Sequence, residues 1–214
     1  QFPHCHERIW FIMKYAFQFK INFTGGIISP GYLLHIMRAV EETGIEEVRF
    51  GLRQQLLINA GNKQYDRVVA SLQKNAIEYE VNTNSYPNII SSYPAEGIFA
   101  PDSWLREGVY KDIFDLFDYK PALKINISDA HQSFTPFFTG HINWIASSSG
   151  HFWYLFIRFP KMKDLYQWPE LIYTNDIPRL SKYIEELIIT HQVSDGHSLH
   201  KQVNETITLI AKPL

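Results

Sequence analysis

Four cations define the chemistry this sequence could perform. They are Arg49 and Arg53 in EEVRFGLRQQLLINA (residues 46–60), Lys20 in AFQFKINF and Lys124 in LKINIS. A guanidinium offers a planar fork that pairs bidentately with a carboxylate or oxyanion, and a lysine offers a compact point charge. If side chains alternate along one strand over 46–60, Arg49, Gly51 and Arg53 share a face while Val48, Phe50 and Leu52 share the other. Gln54 then falls on the dry side, which predicts a bulge or a buried amide with a partner. Other constellations carry less. His4, Cys5 and His6 have donor types suited to zinc or copper, but no two further ligands converge with them in the sequence, so they read as a terminus. His131 and His141 read as structural residues flanking a hairpin, and His191, His197 and His200 as surface residues of a polar tail. No serine sits in a nucleophile-elbow context, and Gly25 and Gly26 lack the spacing of a phosphate loop.

The composition describes a folded chain. Of 214 residues, 45% are hydrophobic and 15% aromatic, too many for a disordered protein. A net charge of -2 gives no bulk attraction to nucleic acid or to acidic membranes, so neither is an expected partner. No apolar run reaches 18 residues, and IWFIMKYAF is interrupted by Lys14, so it reads as structure rather than a leader. One cysteine, Cys5, excludes an internal disulfide and a thiolate-only metal site within these residues, and a reducing cytoplasm is the expected location. The chain starts at Gln1 and stops at Leu214 just after the strand-like TITLIAK, which leads us to expect a piece of a longer protein.

The elements that must position the cations follow from periodicity. Phe17, Phe19, Ile21 and Phe23 alternate with Gln18, Lys20 and Asn22, as in a strand with one dry and one wet face. After Gly25 and Gly26, Ser29 and Pro30 predict a helix start, and the helix runs to Gly44 with Leu33, Ile36, Met37 and Val40 inward. The strand over 46–60 comes next, then a helix marked by Tyr65, Val68, Val69 and Leu72, then a strand with Ile77, Tyr79 and Val81. The predicted order is β-α-β-α-β, with both helices on one side. The other side is left open, carrying Lys20, Asn22, Arg49, Arg53 and Gln55. Residues 82–103 read as a long connection and 104–119 as a helix. LKINIS reads as a strand with one wet face, HINWIA and HFWYLFIRF as a hairpin, and 176–191 as a helix. The aromatics Phe134, Phe137, Phe138, Trp144, Phe152, Trp153 and Tyr154 read mainly as core. The fold class expected is α+β.

FKINFTGGIISPGYLLHIMRAVEETGIEEVRFGLRQQLLI resembles the ferredoxin-like half domain of the sirohaem-dependent nitrite and sulfite reductases. There a strand enters a Gly-Gly turn, a helix follows, and the next strand carries an Arg-Gln pair. PNIISSYPAEG is similar to the family's Arg-Asn segment, LKINIS to its Lys-x-Lys strand, and GHINWIASSSGHFWYLFIRF to its Asp-Ile-Gly hairpin. The order of the blocks holds over roughly 17–190. The resemblance implies a ferredoxin-like half domain over 1–100 and the N-terminal part of a sirohaem-binding-like domain over 101–214.

It further implies an oxidoreductase in which electrons pass from an iron-sulfur cluster to sirohaem and into an oxyanion. Arg53 matches the Arg of Arg-Gln, implying cofactor binding, and Lys124 matches the second lysine of Lys-x-Lys, implying a catalytic role. Arg49 and Lys20 join Arg53 as cofactor-binding candidates on the open face. Asn22, Pro87 and Ala122 stand where the family has basic residues, and Arg158, Phe159, Pro160 and Lys161 replace its glycine pair. Losing one placed donor costs roughly a hundredfold in rate, so losing three implies a fragment inactive by itself. Sirohaem and a 4Fe-4S cluster are expected only in a full-length protein, and none bound by this fragment. The alternative is a cofactor-free scaffold that serves a rubredoxin or ferredoxin module, in cis or in trans, as docking or electron-transfer partner.

Overall fold

The computed structural model describes residues 16–96, 98 and 104–214, so His4, Cys5 and His6 lie outside the described residues. The chain divides into two compact units. Of the described residues, the first comprises those up to Phe23 together with Ile27–Asn84, and the second Thr24–Gly26 together with those from Ser85 to Leu214. The division thus falls near the start of the connection over 82–103.

The first unit contains β1 (Phe17–Ile21), α1 (Pro30–Glu41), β2 (Val48–Phe50), β3 (Leu56–Ala60), α2 (Tyr65–Lys74) and β4 (Glu80–Val81). Its sheet order is β2-β3-β1-β4 with every pairing antiparallel, the arrangement of a ferredoxin-like split βαβ. Ser29 caps α1 by accepting the Tyr32 N–H at 3.2 Å, leaving Pro30 in the first turn, where its missing N–H is not needed. Ile36 and Val40 of α1 and Val68 and Leu72 of α2 pack on Phe19, Ile21, Leu56 and Ile58. Both helices therefore cover the same face.

The second strand differs from expectation. Residues 46–60 hold two strands, β2 and β3, with a turn between them, so the order is β-α-β-β-α-β. Within the turn Gly51 N–H donates to the Gln55 carbonyl at 2.8 Å and Gln54 N–H to the Gly51 carbonyl at 2.9 Å. Gln54 adopts φ 54, the left-handed region a turn demands. Alternation counted across a turn assigns faces that do not exist. Leu52, expected on the dry side, is 86% exposed at the tip, and Arg53 belongs to the turn instead of sharing a strand face with Arg49.

The second unit contains β5 (Ile90–Ser91), α3 (Glu107–Asp115), β6 (Ile125–Ser128), β7 (Ile142–Ala146), β8 (Phe152–Ile157), β9 (Tyr166–Gln167), β10 (Glu170–Tyr173), α4 (Ile177–Ile189), α5 (Gly196–Thr206) and β11 (Ala211–Pro213). The sheet runs β11-β10-β8-β7-β6-β5, with β9 added to β8. β5, β6 and β7 are mutually parallel, and the pairs from β7 to β11 are antiparallel. Ile125, Ile127, Trp144, Trp153, Leu155 and Ile172 meet Ile113 of α3, Leu180 and Ile184 of α4, and Leu199 of α5 in one core. Two core indoles find acceptors, Trp144 Nε1 donating to Ser181 Oγ at 3.0 Å and Trp153 Nε1 to Thr174 Oγ1 at 2.9 Å, while the buried Trp168 Nε1 has none among the described residues.

Three readings change here. The polar tail is the helix α5, capped by Asp195, which accepts the Ser198 N–H at 2.8 Å. His200 on it is partly buried, with its ring edge-on to Trp168 and its Nε2 3.0 Å from a Glu170 carboxylate oxygen. Phe134 and Phe137 are 59% and 72% exposed instead of joining the core. LKINIS has no wet face, because all four residues of β6 are buried. No helix among the described residues is long and apolar enough to cross a membrane.

Candidate functional site

The face of the first sheet opposite its helices is set by register. Lys20 lies opposite Leu57 on one side and Glu80 on the other, and Arg49 also lies opposite Leu57. Lys20 is only 6% exposed, and its ammonium is committed to Glu80 at 2.6 Å, Asn84 Oδ1 at 2.7 Å and the Thr83 carbonyl at 3.0 Å. One ion pair and two hydrogen bonds hold the group. Lys20 thus ties residues 83–84 to the sheet. Arg49 sits half-exposed 3.8 Å from Glu47, a distance and exposure at which an ion pair contributes little. It lines a cleft of about 240 Å³ with Glu46, Glu47, Asn59 and Gln64.

Arg53 is different in kind. The hairpin turn holds it half-buried, and this burial pulls the pKa of its guanidinium down to about 10, because removal from water disfavours the charged form. Two residues on, Gln55 is 9% exposed, and its Oε1 is buried with no hydrogen-bond partner among the described residues. The same turn therefore holds a half-buried guanidinium and a buried acceptor with no donor among the described residues. Asn22, which follows β1, is exposed and uncharged.

Lys124 belongs to the second unit, immediately before β6. Its main chain is gripped by His141: the Lys124 N–H donates to His141 Nδ1 at 3.1 Å, and the His141 N–H donates to the Lys124 carbonyl at 2.7 Å. His141 is thus structural by geometry, because Nδ1 acts as an acceptor and the ring proton must sit on Nε2. Beyond Lys124, the face expected to be wet is covered by residues 129–141. Asn126 donates to Asn143 Oδ1 at 3.2 Å and to Thr139 Oγ1 at 3.3 Å. Asn143 accepts from Gly140 N–H at 3.0 Å and donates to the carbonyls of Gly140 and Phe156.

The covering loop is tightly determined. Asp129 Oδ1 accepts the N–H groups of His131 and Ser133, both at 2.9 Å, and Gln132 Oε1 accepts that of Phe138 at 3.0 Å. Gln132, Phe134 and Phe138 all have left-handed φ, between 47 and 54. Such backbone persists only where surrounding bonds dictate it. Phe138 packs edge-on to Phe156 at 5.1 Å, while Phe134 and Phe137 are displayed outward.

The Gly-Gly turn also belongs to this unit. Gly25 donates to the Ile89 carbonyl at 2.9 Å and accepts from Ser91 Oγ at 2.6 Å. Among the described residues no group of three or more His, Cys, Asp or Glu is placed to hold a metal ion.

No family model and no curated relative matches this chain. Among solved structures, NirA of Mycobacterium tuberculosis matches with a TM-score of 0.54 at 13% identity, over 88% of this chain. The fold is nitrite/sulfite reductase-like, and distantly so. This chain spans 38% of the length of the NirA chain. At that identity the likeness to NirA carries fold alone. It agrees with the expected α+β class and with the split βαβ seen in the first unit. Sequence reasoning placed Gln55 with Arg53 on the open side and missed the turn that holds them. The available signal was Gly51 itself, which marks a turn when it interrupts a strand pattern.

Proposed function

We propose that this chain is an anion-receiving part of a nitrite/sulfite reductase-like protein, taking a carboxylate of an anionic tetrapyrrole or a small oxyanion at Arg53. The observation that carries the reading is the burial of the Arg53 guanidinium in the same turn as the orphaned Gln55 Oε1. Of the cations expected to serve a carboxylate-rich cofactor, Lys20 is already spent on Glu80, so the first unit fits one such group at Arg53. A sirohaem held there would supply the electron-transfer chemistry. The chain's own part is to bind and orient its carboxylate. With Asn22, Pro87 and Ala122 in place of basic residues, turnover by these residues alone is not expected, and an iron-sulfur cluster would have to come from elsewhere.

Titration of the protein with sirohaem, and separately with sulfite, tests this. Arg53→Gln removes the charge and leaves a shorter, neutral polar side chain. A charge-assisted pair contributes about 1.5–3 kcal/mol, so the variant should bind at least about tenfold more weakly. Equal affinity in the two proteins would remove Arg53 from the site. The exposed Phe134 and Phe137 favour a second reading, in which the chain docks a rubredoxin or ferredoxin module without a cofactor of its own. That reading expects neither ligand to bind, while an added redox module shifts the signals of residues 129–141.

A further inference from the structure

The segment that precedes β6 is held by a carboxylate from another element. Glu185 on α4 accepts the Leu123 N–H through Oε2 at 2.6 Å and also accepts the Ala122 N–H. Two consecutive amides aimed at one carboxylate form the kind of concave donor pair that binds free acids and oxyanions. A third donor stands close by. The Tyr119 hydroxyl is buried with no hydrogen-bond partner among the described residues, and after burial the next cause raising its pKa is the charge of Glu185. The neighbouring charges are spoken for, since Lys182 of α4 pairs with Asp118 at 2.9 Å and lies over the Tyr119 ring.

We infer that the Ala122 and Leu123 amides, with the Tyr119 hydroxyl beside them, form a binding site for a small carboxylic acid, and that this chain fills it with its own Glu185. Glu185 itself shows that the site holds a carboxyl group at short distance. Burial keeps its pKa above the ordinary carboxylate range, although the two amides pull the other way. The groups that favour the carboxylate form of Glu185 are backbone amides. Nothing in this inference rests on Arg53.

Chemical rescue tests it. Glu185→Ala vacates the site and leaves the amide of the buried Leu123 without its acceptor, whereas Glu185→Gln retains a planar acceptor. Thermal unfolding is followed in sodium formate and in sodium chloride at equal ionic strength. The expected result is a Tm several degrees below wild type for Glu185→Ala in chloride, with at least half of the loss recovered in formate, and no formate effect on wild type or Glu185→Gln. Recovery of folding in formate alone would support the site equally. A formate effect no larger in Glu185→Ala than in wild type overturns the inference, as does a Glu185→Ala chain that stays unfolded in both salts. The Leu123 amide resonance gives a second readout. It should move on adding formate to Glu185→Ala, and an unmoved resonance counts against the site.

Discussion

Replacing Gly25 by Ala should lower the melting temperature by roughly 5–15 °C, since overpacking and left-handed backbone together cost about 2–5 kcal/mol and each kcal/mol moves a chain of this size by a few degrees. Gly25 has φ +68, where any side chain is strained, and a Cβ built there lies 2.2 Å from the Phe114 ring. Neither partner can move freely. Gly25 is bonded to Ile89 and Ser91, and Phe114 packs against the core of the second unit from α3. The two contributions separate in a double-mutant cycle. Phe114→Leu in the Gly25→Ala background should recover the steric part and leave the backbone part, and strict additivity would mean that the ring is not the obstacle.

Replacing Asn143 by Ala should cost about 3 kcal/mol, because leaving buried donors and acceptors unmade costs roughly 1–3 kcal/mol each and partial relaxation recovers some of it. Asn143 is 1% exposed and serves Gly140 twice, Phe156 and Asn126. Its loss should also free residues 129–141, because Gly140 is the anchor where that loop rejoins β7. Hydrogen exchange at 131–140 is the measurement. Faster exchange there than in α4 is expected, and uniform change across the unit would show that Asn143 supports global stability without holding the loop.

Much of this fold was legible because local signals agreed with tertiary ones. β1 and α1 declare themselves through a two-residue period, a Gly-Gly turn and the Ser29-Pro30 start. β7 and β8 were legible as a hairpin because two apolar runs flank a serine-rich turn. Among the elements that escaped, two did so for local reasons. The hairpin over 48–60 hid inside one apolar run, since Leu52 continues the alternation through a turn that only Gly51 betrays. α5 hid in polar composition, although the Asp195 cap and the Leu199 and Val203 spacing were present.

The site was less legible than the fold because its decisive facts are long-range. Lys20 looks like a wet-face cation until Glu80, far along the chain, is brought beside it by β4. Asn126 and Ser128 look solvated until residues 129–141 fold over them. Arg53 was expected on an open strand face, but its burial comes from a turn that strand alternation does not reveal.

The claim at the centre is that the Arg53 turn receives an anion. The most direct measurement is the Nε–H resonance of Arg53 in a nitrogen-edited NMR spectrum, assigned by its absence in Arg53→Gln and followed while sulfite or a tetrapyrrole carboxylate is added. A saturable shift of that resonance, larger than that of the half-exposed Arg49, is the expected result. If Arg53 stays fixed while other arginines move, or if nothing moves at millimolar ligand, the turn is not an anion site.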